Sequence, residues 1–337
     1  MTKTLLLTAC CLLALVVSKS YVSTQPDNTS QLLIAVLRED GALMPFAQYG
    51  NGGWFNPWPK PRDAASSIYA ETTEAIPNSL GDLREPWFKQ CGKIPATWYL
   101  WSSAATPTVL RVSKVLQVEN HSQTNWALLT DFPKQNSNDA GHAIIGVALN
   151  ASEKIEPMIE IKTDSIEAAE IVPFVKQVFD ETETSELNRI REEHVAPLQL
   201  STPIFTLPTE ERKKTAMSVT KLYRTNWKLD GEHLYYFEAE KQYPIPVATS
   251  GQDCNDISIF QGWISASDKG GLGLIDSRLF VTNCDRKGPG TTTPLGSMTL
   301  NSDTFLFISQ HGWEDESYII LKLDNSGLHR VLETFGG

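Results

Sequence analysis

The sequence predicts a mainly β protein, an antiparallel sandwich or barrel-like core with a short helical insertion, with a β-propeller as the alternative. Three observations lead there. Short apolar or alternating runs bounded by turn residues recur along most of the 337-residue chain. Only one stretch, 163–195, carries apolar residues at clear helical spacing. No βαβ rhythm and no glycine-rich dinucleotide turn occurs, so a doubly wound sheet is not expected.

The first element is a leader. Met1, Thr2 and Lys3 are followed by an apolar run from Leu5 to Val17, broken only by Thr8, and then by Ser18, Lys19 and Ser20. This order is that of a secretory signal peptide over residues 1–20, cleaved after Ser20 or near it. The run is shorter than the ~20 residues an anchor helix needs. A secreted or periplasmic protein without a membrane anchor after cleavage is therefore expected. Residues 21–30 are polar and aperiodic, a flexible lead-in.

An N-terminal β region is expected over 31–162. Six consecutive apolar residues, Leu32 to Leu37, form its first strand, and Asp40-Gly41 turns the chain into a return strand reaching Tyr49. Pro45 places that return strand at a sheet edge or a bulge. Further strands are expected at Thr97–Trp101, Val109–Glu119, Trp126–Leu129, Ala143–Leu149 and Met158–Ile161. The helical segment follows, capped by Asp164 or Ser165. Pro173 should kink or restart it, and a second short helix is expected at Ser185–His194, both acidic on their outer faces. A C-terminal β region spans 196–337 and forms one composite domain with 31–162. The hairpin pattern around Ile34–Gly50 echoes that around Ile320–Gly336, so the first strand should lie near the last ones.

Bulk composition narrows the function. Hydrophobic residues make up 41% and charged residues 20%, as in a folded globular chain. The net charge of -11 argues against nucleic acid and against anionic lipid, both of which need clustered Lys and Arg. Sequons occur at Asn28, Asn120 and Asn150. Loss of Cys10 and Cys11 with the leader leaves Cys91, Cys254 and Cys284, of which Cys254 and Cys284 flank neighbouring strands and are expected to form a disulfide. Asp253, Asp256 and Asp285 surround that pair. They could hold a calcium ion, although such carboxylates are more often simply solvated.

No nucleophile elbow, zinc helix, P-loop or EF-hand loop is found, and no cofactor is expected. The candidate catalytic cluster is His311, Glu314 and Glu316, where a histidine among carboxylates could serve acid/base chemistry. In a continuous strand, His311 and the two glutamates face opposite ways, so they converge only if the segment turns. The plainer reading is an acidic hairpin tip. Trp54 and Trp58, set among Pro and Gly, are candidates for a stacking platform, with core packing as the plainer reading. The sequence thus points to an exported, non-catalytic binding or structural protein with a carbohydrate or protein partner. A secreted hydrolase of polysaccharide or peptide, working through carboxylates or a metal, is the alternative.

Overall fold

The computed structural model describes residues 32–57, 95–102, 106–120, 123–133, 143–151, 153–192, 206–225, 232–244, 255–267, 271–282, 290–312 and 316–335. Residues 32–337 form one compact unit. The fold is mostly β, with antiparallel sheets, a six-stranded closed barrel and, among the described residues, two helices.

The barrel comes first. Strands β1 (Leu32–Arg38), β2 (Ala42–Gly50), β3 (Gly53–Phe55), β4 (Thr97–Trp101), β5 (Thr108–Asn120), β6 (Gln123–Thr130) and β7 (Ile144–Leu149) pair in the order β1-β7-β4-β5-β6-β2-β3, and β1 also pairs with β2. That last pairing closes six strands into a ring and leaves β3 as a short flap on β2. Every residue of β1 is buried. Leu33, Ala35 and Leu37 point into the barrel beside Trp98, Leu110 and Leu128. Leu32, Ile34 and Val36 point out, against Phe305, Phe307, Tyr318 and Ile320. Burial on both faces is why this strand reads as an unbroken apolar run instead of an alternation. Gly41 turns the β1–β2 hairpin at φ 83°, where only glycine is unstrained. Asp40 secures the turn by accepting the Ala42 N–H on its carboxylate. Pro45 sits where the β1–β2 register slips, at a bulge that tolerates its missing N–H.

Two five-stranded antiparallel sheets follow. One contains β9 (Ile159–Glu160), β10 (Met217–Arg224), β11 (Glu232–Pro244), β12 (Asn255–Ser267) and β13 (Leu272–Thr282). The other contains β8 (Glu156–Pro157), β14 (Thr291–Leu300), β15 (Asp303–His311), β16 (Glu316–Asp324) and β17 (Gly327–Phe335). Each is a four-stranded meander completed by a two-residue strand. Because β8 and β9 are separated only by Met158, one short segment borders both sheets.

The layers stack through successive apolar seams. Helix α1 (Ala168–Glu192) lays Ile171, Val175 and Phe179 on the outer face of the β9–β13 sheet. The inner face of that sheet meets the β8/β14–β17 sheet through Leu234, Tyr236, Trp263, Leu306, Ile308 and Ile319. The opposite face of the second sheet covers the barrel wall. The order is helix, sheet, sheet, barrel. It is a sandwich mounted on a barrel and not a propeller.

The helical region differs in detail from its sequence pattern. Residues 168–192 form one continuous helix that includes Pro173, and the second helix, α2, is Thr209–Lys214. No separate helix begins at Ser185. Ser165 caps the start, its hydroxyl accepting the Ala168 N–H at 3.2 Å. Pro173 removes one ladder bond near this end, and the apolar stripe on the sheet outweighs that loss. Among the described residues no helix is long and apolar enough to cross a membrane.

Candidate functional site

His311 and Glu316 face each other across the β15–β16 hairpin, on the side turned to the barrel. The Ser309 hydroxyl and His311 Nε2 share a hydrogen bond at 2.8 Å, and Glu316 Oε1 lies 3.7 Å from the same nitrogen. Tyr318 donates its hydroxyl to Glu316 Oε1 at 2.6 Å. A relay triad places the nucleophile on one imidazole nitrogen and the carboxylate on the other. Here both crowd one nitrogen, and Ser309 is 0% exposed, so no substrate reaches it. Burial pushes the Tyr318 phenol well above its ordinary range. The Glu316 charge and hydrogen bond add to this, and buried Arg38 opposes it. Ser309, His311, Glu316 and Tyr318 answer one another between barrel and sheet, whereas the fully buried Arg38 guanidinium has no hydrogen-bond partner among the described residues. Glu314 lies outside the described residues.

Trp54 pairs with Tyr49 on β2 and sits half-buried, edge-on to Tyr49 and Phe305 at centroid distances of 5.0 and 5.3 Å. Phe307 flanks the same ring at 6.2 Å. These are core contacts of the barrel–sheet seam. Trp58, Cys254, Cys284, Asp253 and Asp285 lie outside the described residues. Asp256 is buried on β12 opposite Tyr243. Among the described residues no three His, Cys, Asp or Glu side chains gather as metal ligands would.

A constellation the local sequence pattern missed lies between the two sheets. Interior positions of a sandwich are normally apolar, and the seam through Tyr236, Trp263, Ile308 and Ile319 obeys that rule. One row further along, both sheets turn polar. Register places Lys221, Glu238, Gln261 and Arg278 side by side on β10 to β13. Thr292, Gln310 and Ser317 form the corresponding row on β14 to β16. Gln261, Thr292 and Ser317 are only 7, 8 and 7% exposed. Lys221 crosses the seam, donating to the Thr292 carbonyl at 3.0 Å and pairing with Glu238 at 3.4 Å.

These rows border a cavity of about 130 Å³, backed by Tyr236 and Trp263 and floored by Ile308 and Ile319. Its hydrogen bonding is incomplete. The Tyr236 hydroxyl donates to Gln261 Oε1 at 3.2 Å, which leaves the Gln261 amide nitrogen without a partner among the described residues. The Gln310 amide and the Arg278 guanidinium have none either, nor does the Asp276 carboxylate two residues before Arg278. Burial raises the Tyr236 phenol far above the usual tyrosine range, with the Glu238 charge adding to it and a Thr292 hydrogen bond opposing it. It therefore stays a neutral donor. Gly262 lets β12 and β13 close on each other at this point, because a Cβ there would collide with the Asp276 carbonyl.

A larger cavity, about 680 Å³, lies where β4 and β7 meet the β8–β9 segment, lined by Trp101, Ile144, Met158 and Leu295 among others. Its lining is largely apolar, and Lys154 there is already paired with Glu156. Size favours this cavity, and so does the Trp101 indole N–H, which is buried without a hydrogen-bond partner among the described residues. The convergence of Gln261, Gln310, Arg278 and Asp276 on one opening favours the smaller one, since ligand sites combine apolar walls with a few convergent polar groups.

A second buried polar cluster anchors α1. Lys241, fully buried on β11, donates to Asp180 Oδ1 at 2.5 Å and to Glu183 Oε2 at 3.1 Å, while the Tyr243 hydroxyl donates to Glu183 Oε1 at 2.7 Å. Its groups answer one another, and no cavity opens beside it among those described. Comparison with family models, curated proteins and solved structures finds no match to this chain.

Proposed function

We propose that this is an exported, non-catalytic binding protein that holds a small ligand in the cavity between its two five-stranded sheets. The observation that carries the reading is the polar row inside the sandwich. Gln261 is 7% exposed, and its amide nitrogen, the Gln310 amide and the exposed Arg278 guanidinium all border the cavity without a protein partner among the described residues. A fold that needed only stability would fill the row with apolar side chains. A bound ligand supplies the missing hydrogen bonds.

Two features argue for binding without chemistry. The side chains whose ionisation is most displaced are tyrosines, shifted chiefly by burial and spread over separate layers. The histidine–glutamate cluster has the wrong geometry for a relay, and its serine, Ser309, is closed to substrate. Export rests on the residue order of 1–20, and the same compartment favours a Cys254–Cys284 disulfide.

Thermal unfolding across a panel of small solutes (carboxylates, amines, amino acids and monosaccharides) tests the reading. A solute present at a hundredfold excess over its Kd stabilises by about 2.7 kcal/mol. At least one panel member should raise the midpoint of the wild type and fail to do so for Gln310→Leu. If no solute separates the two proteins, the proposal is wrong.

A further inference from the structure

We infer that the ligand of the inter-sheet cavity is a free α-amino acid with a compact apolar side chain. The inference rests on the reading of that cavity as a ligand site and names what fits it. The charges around the opening decide the class. Lys221 is neutralised by Glu238 and Arg330 by Glu333. Arg278 and Asp276 remain, one cation and one anion, both exposed and neither ion-paired among the described residues. They stand at alternate positions of β13, roughly 7 Å apart along the strand. Register places both on the face turned to the second sheet, beside Gln261 and Trp263 respectively.

A small zwitterion matches this pair. Its carboxylate takes the Arg278 fork, and its ammonium takes the Asp276 carboxylate. A simple anion leaves Asp276 as a repelling neighbour, and a simple amine does the same to Arg278. A neutral sugar uses neither charge, and a peptide terminus offers only one of the two. The free amides of Gln261 and Gln310 complete the polar contacts. The side chain then points inward between Tyr236, Trp263, Ile308 and Ile319. A volume of about 130 Å³ admits one ring or a short branched chain, since a cavity of roughly 150 Å³ holds a benzene ring.

Titration calorimetry on the full exported chain tests this with four probes: L-phenylalanine, 3-phenylpropionate, phenethylamine and glucose. The two part-molecules lack the ammonium and the carboxylate in turn. L-Phenylalanine should bind, with each part-molecule weaker by roughly tenfold or more, as expected for one lost charge-assisted hydrogen bond. Arg278→Gln should weaken L-phenylalanine and 3-phenylpropionate but leave phenethylamine unchanged, and Asp276→Asn should do the converse. Both positions are exposed, so the variants should unfold at the wild-type temperature. Equal binding of 3-phenylpropionate or glucose would overturn the amino-acid assignment while the cavity reading stands. So would an absence of amino-acid binding in a protein that other panel solutes stabilise. Failure of every solute removes both.

Discussion

Replacing Lys241 by Met should be among the most damaging single changes in this protein. The Lys241 side chain is 0% exposed and faces Asp180 and Glu183, whose side chains are 15% and 1% exposed. The substitution keeps much of the aliphatic volume and its packing against Phe179, but it deletes the cation. Glu183 is then left buried with, among the described residues, only the Tyr243 hydroxyl donating to it, whereas Asp180 keeps Lys176 at 3.1 Å and some solvent. Removing one partner of a buried pair costs roughly 3–5 kcal/mol, mostly through the stranded opposite charge. That is a large part of the 5–15 kcal/mol that holds a typical domain together. Adding Glu183→Gln to the same protein removes the stranded charge and keeps an acceptor for Tyr243. The double variant should therefore recover at least about 1 kcal/mol, a non-additivity typical of residues in one network. Urea unfolding of wild type, both single variants and the double variant gives all four values. A loss below about 1 kcal/mol for Lys241→Met, or strict additivity, would refute the view that this cluster pins helix to sheet.

Trp54→Ala should cost about 3 kcal/mol, the low end for a large aromatic because the ring is only half-buried, and should leave ligand binding unchanged. Urea unfolding and solute titration read the two effects. Alkaline pH should destabilise the protein through its buried tyrosines. The Tyr235 phenol is pushed up to about 12 by burial and by its hydrogen bond to Glu167, and Tyr223, Tyr236, Tyr243 and Tyr318 are also raised. Unfolded phenols lose their protons near pH ~10. The contribution is thus fully present below that pH and is lost as pH rises toward the folded values. Unfolding free energies that stay flat from pH ~8 to ~11 would contradict it. Mass spectrometry of unreduced peptides should find Cys254 joined to Cys284, and amino-terminal sequencing of exported protein should begin at or near Tyr21. A Cys91 bridge or a chain beginning at Met1 would count against those assignments.

The sequence carried the fold where one residue's surroundings decide its type. The run Leu32–Leu37 reads as a strand because both of its faces are buried, and Asp40-Gly41 reads as a turn because φ at Gly41 is positive. Pro173 misled because propensity argues for a break, whereas packing of Ile171, Val175 and Phe179 carries the helix through it. Glu183 lies in a helix whose outer face reads as acidic, yet it is buried. Its partner Lys241 is distant in sequence, and nothing local announces a buried pair. The candidate site was hidden for the same reason. Lys221, Glu238, Gln261 and Arg278 come from four strands and become one row only through register. Each alone resembles an ordinary polar position on a half-exposed strand. His311 and Glu316 were visible because the hairpin that opposes them is local.

Two-dimensional NMR can locate the ligand. The protein is titrated with whichever solute stabilises it most, and the indole and side-chain amide resonances are followed. The Trp263 indole and the Gln261 and Gln310 amides should shift together and saturate with one Kd, while Trp54 and Trp101 stay fixed. Shifts centred on Trp101, beside the larger cavity, with Trp263 and both amides unmoved, would contradict the inter-sheet site.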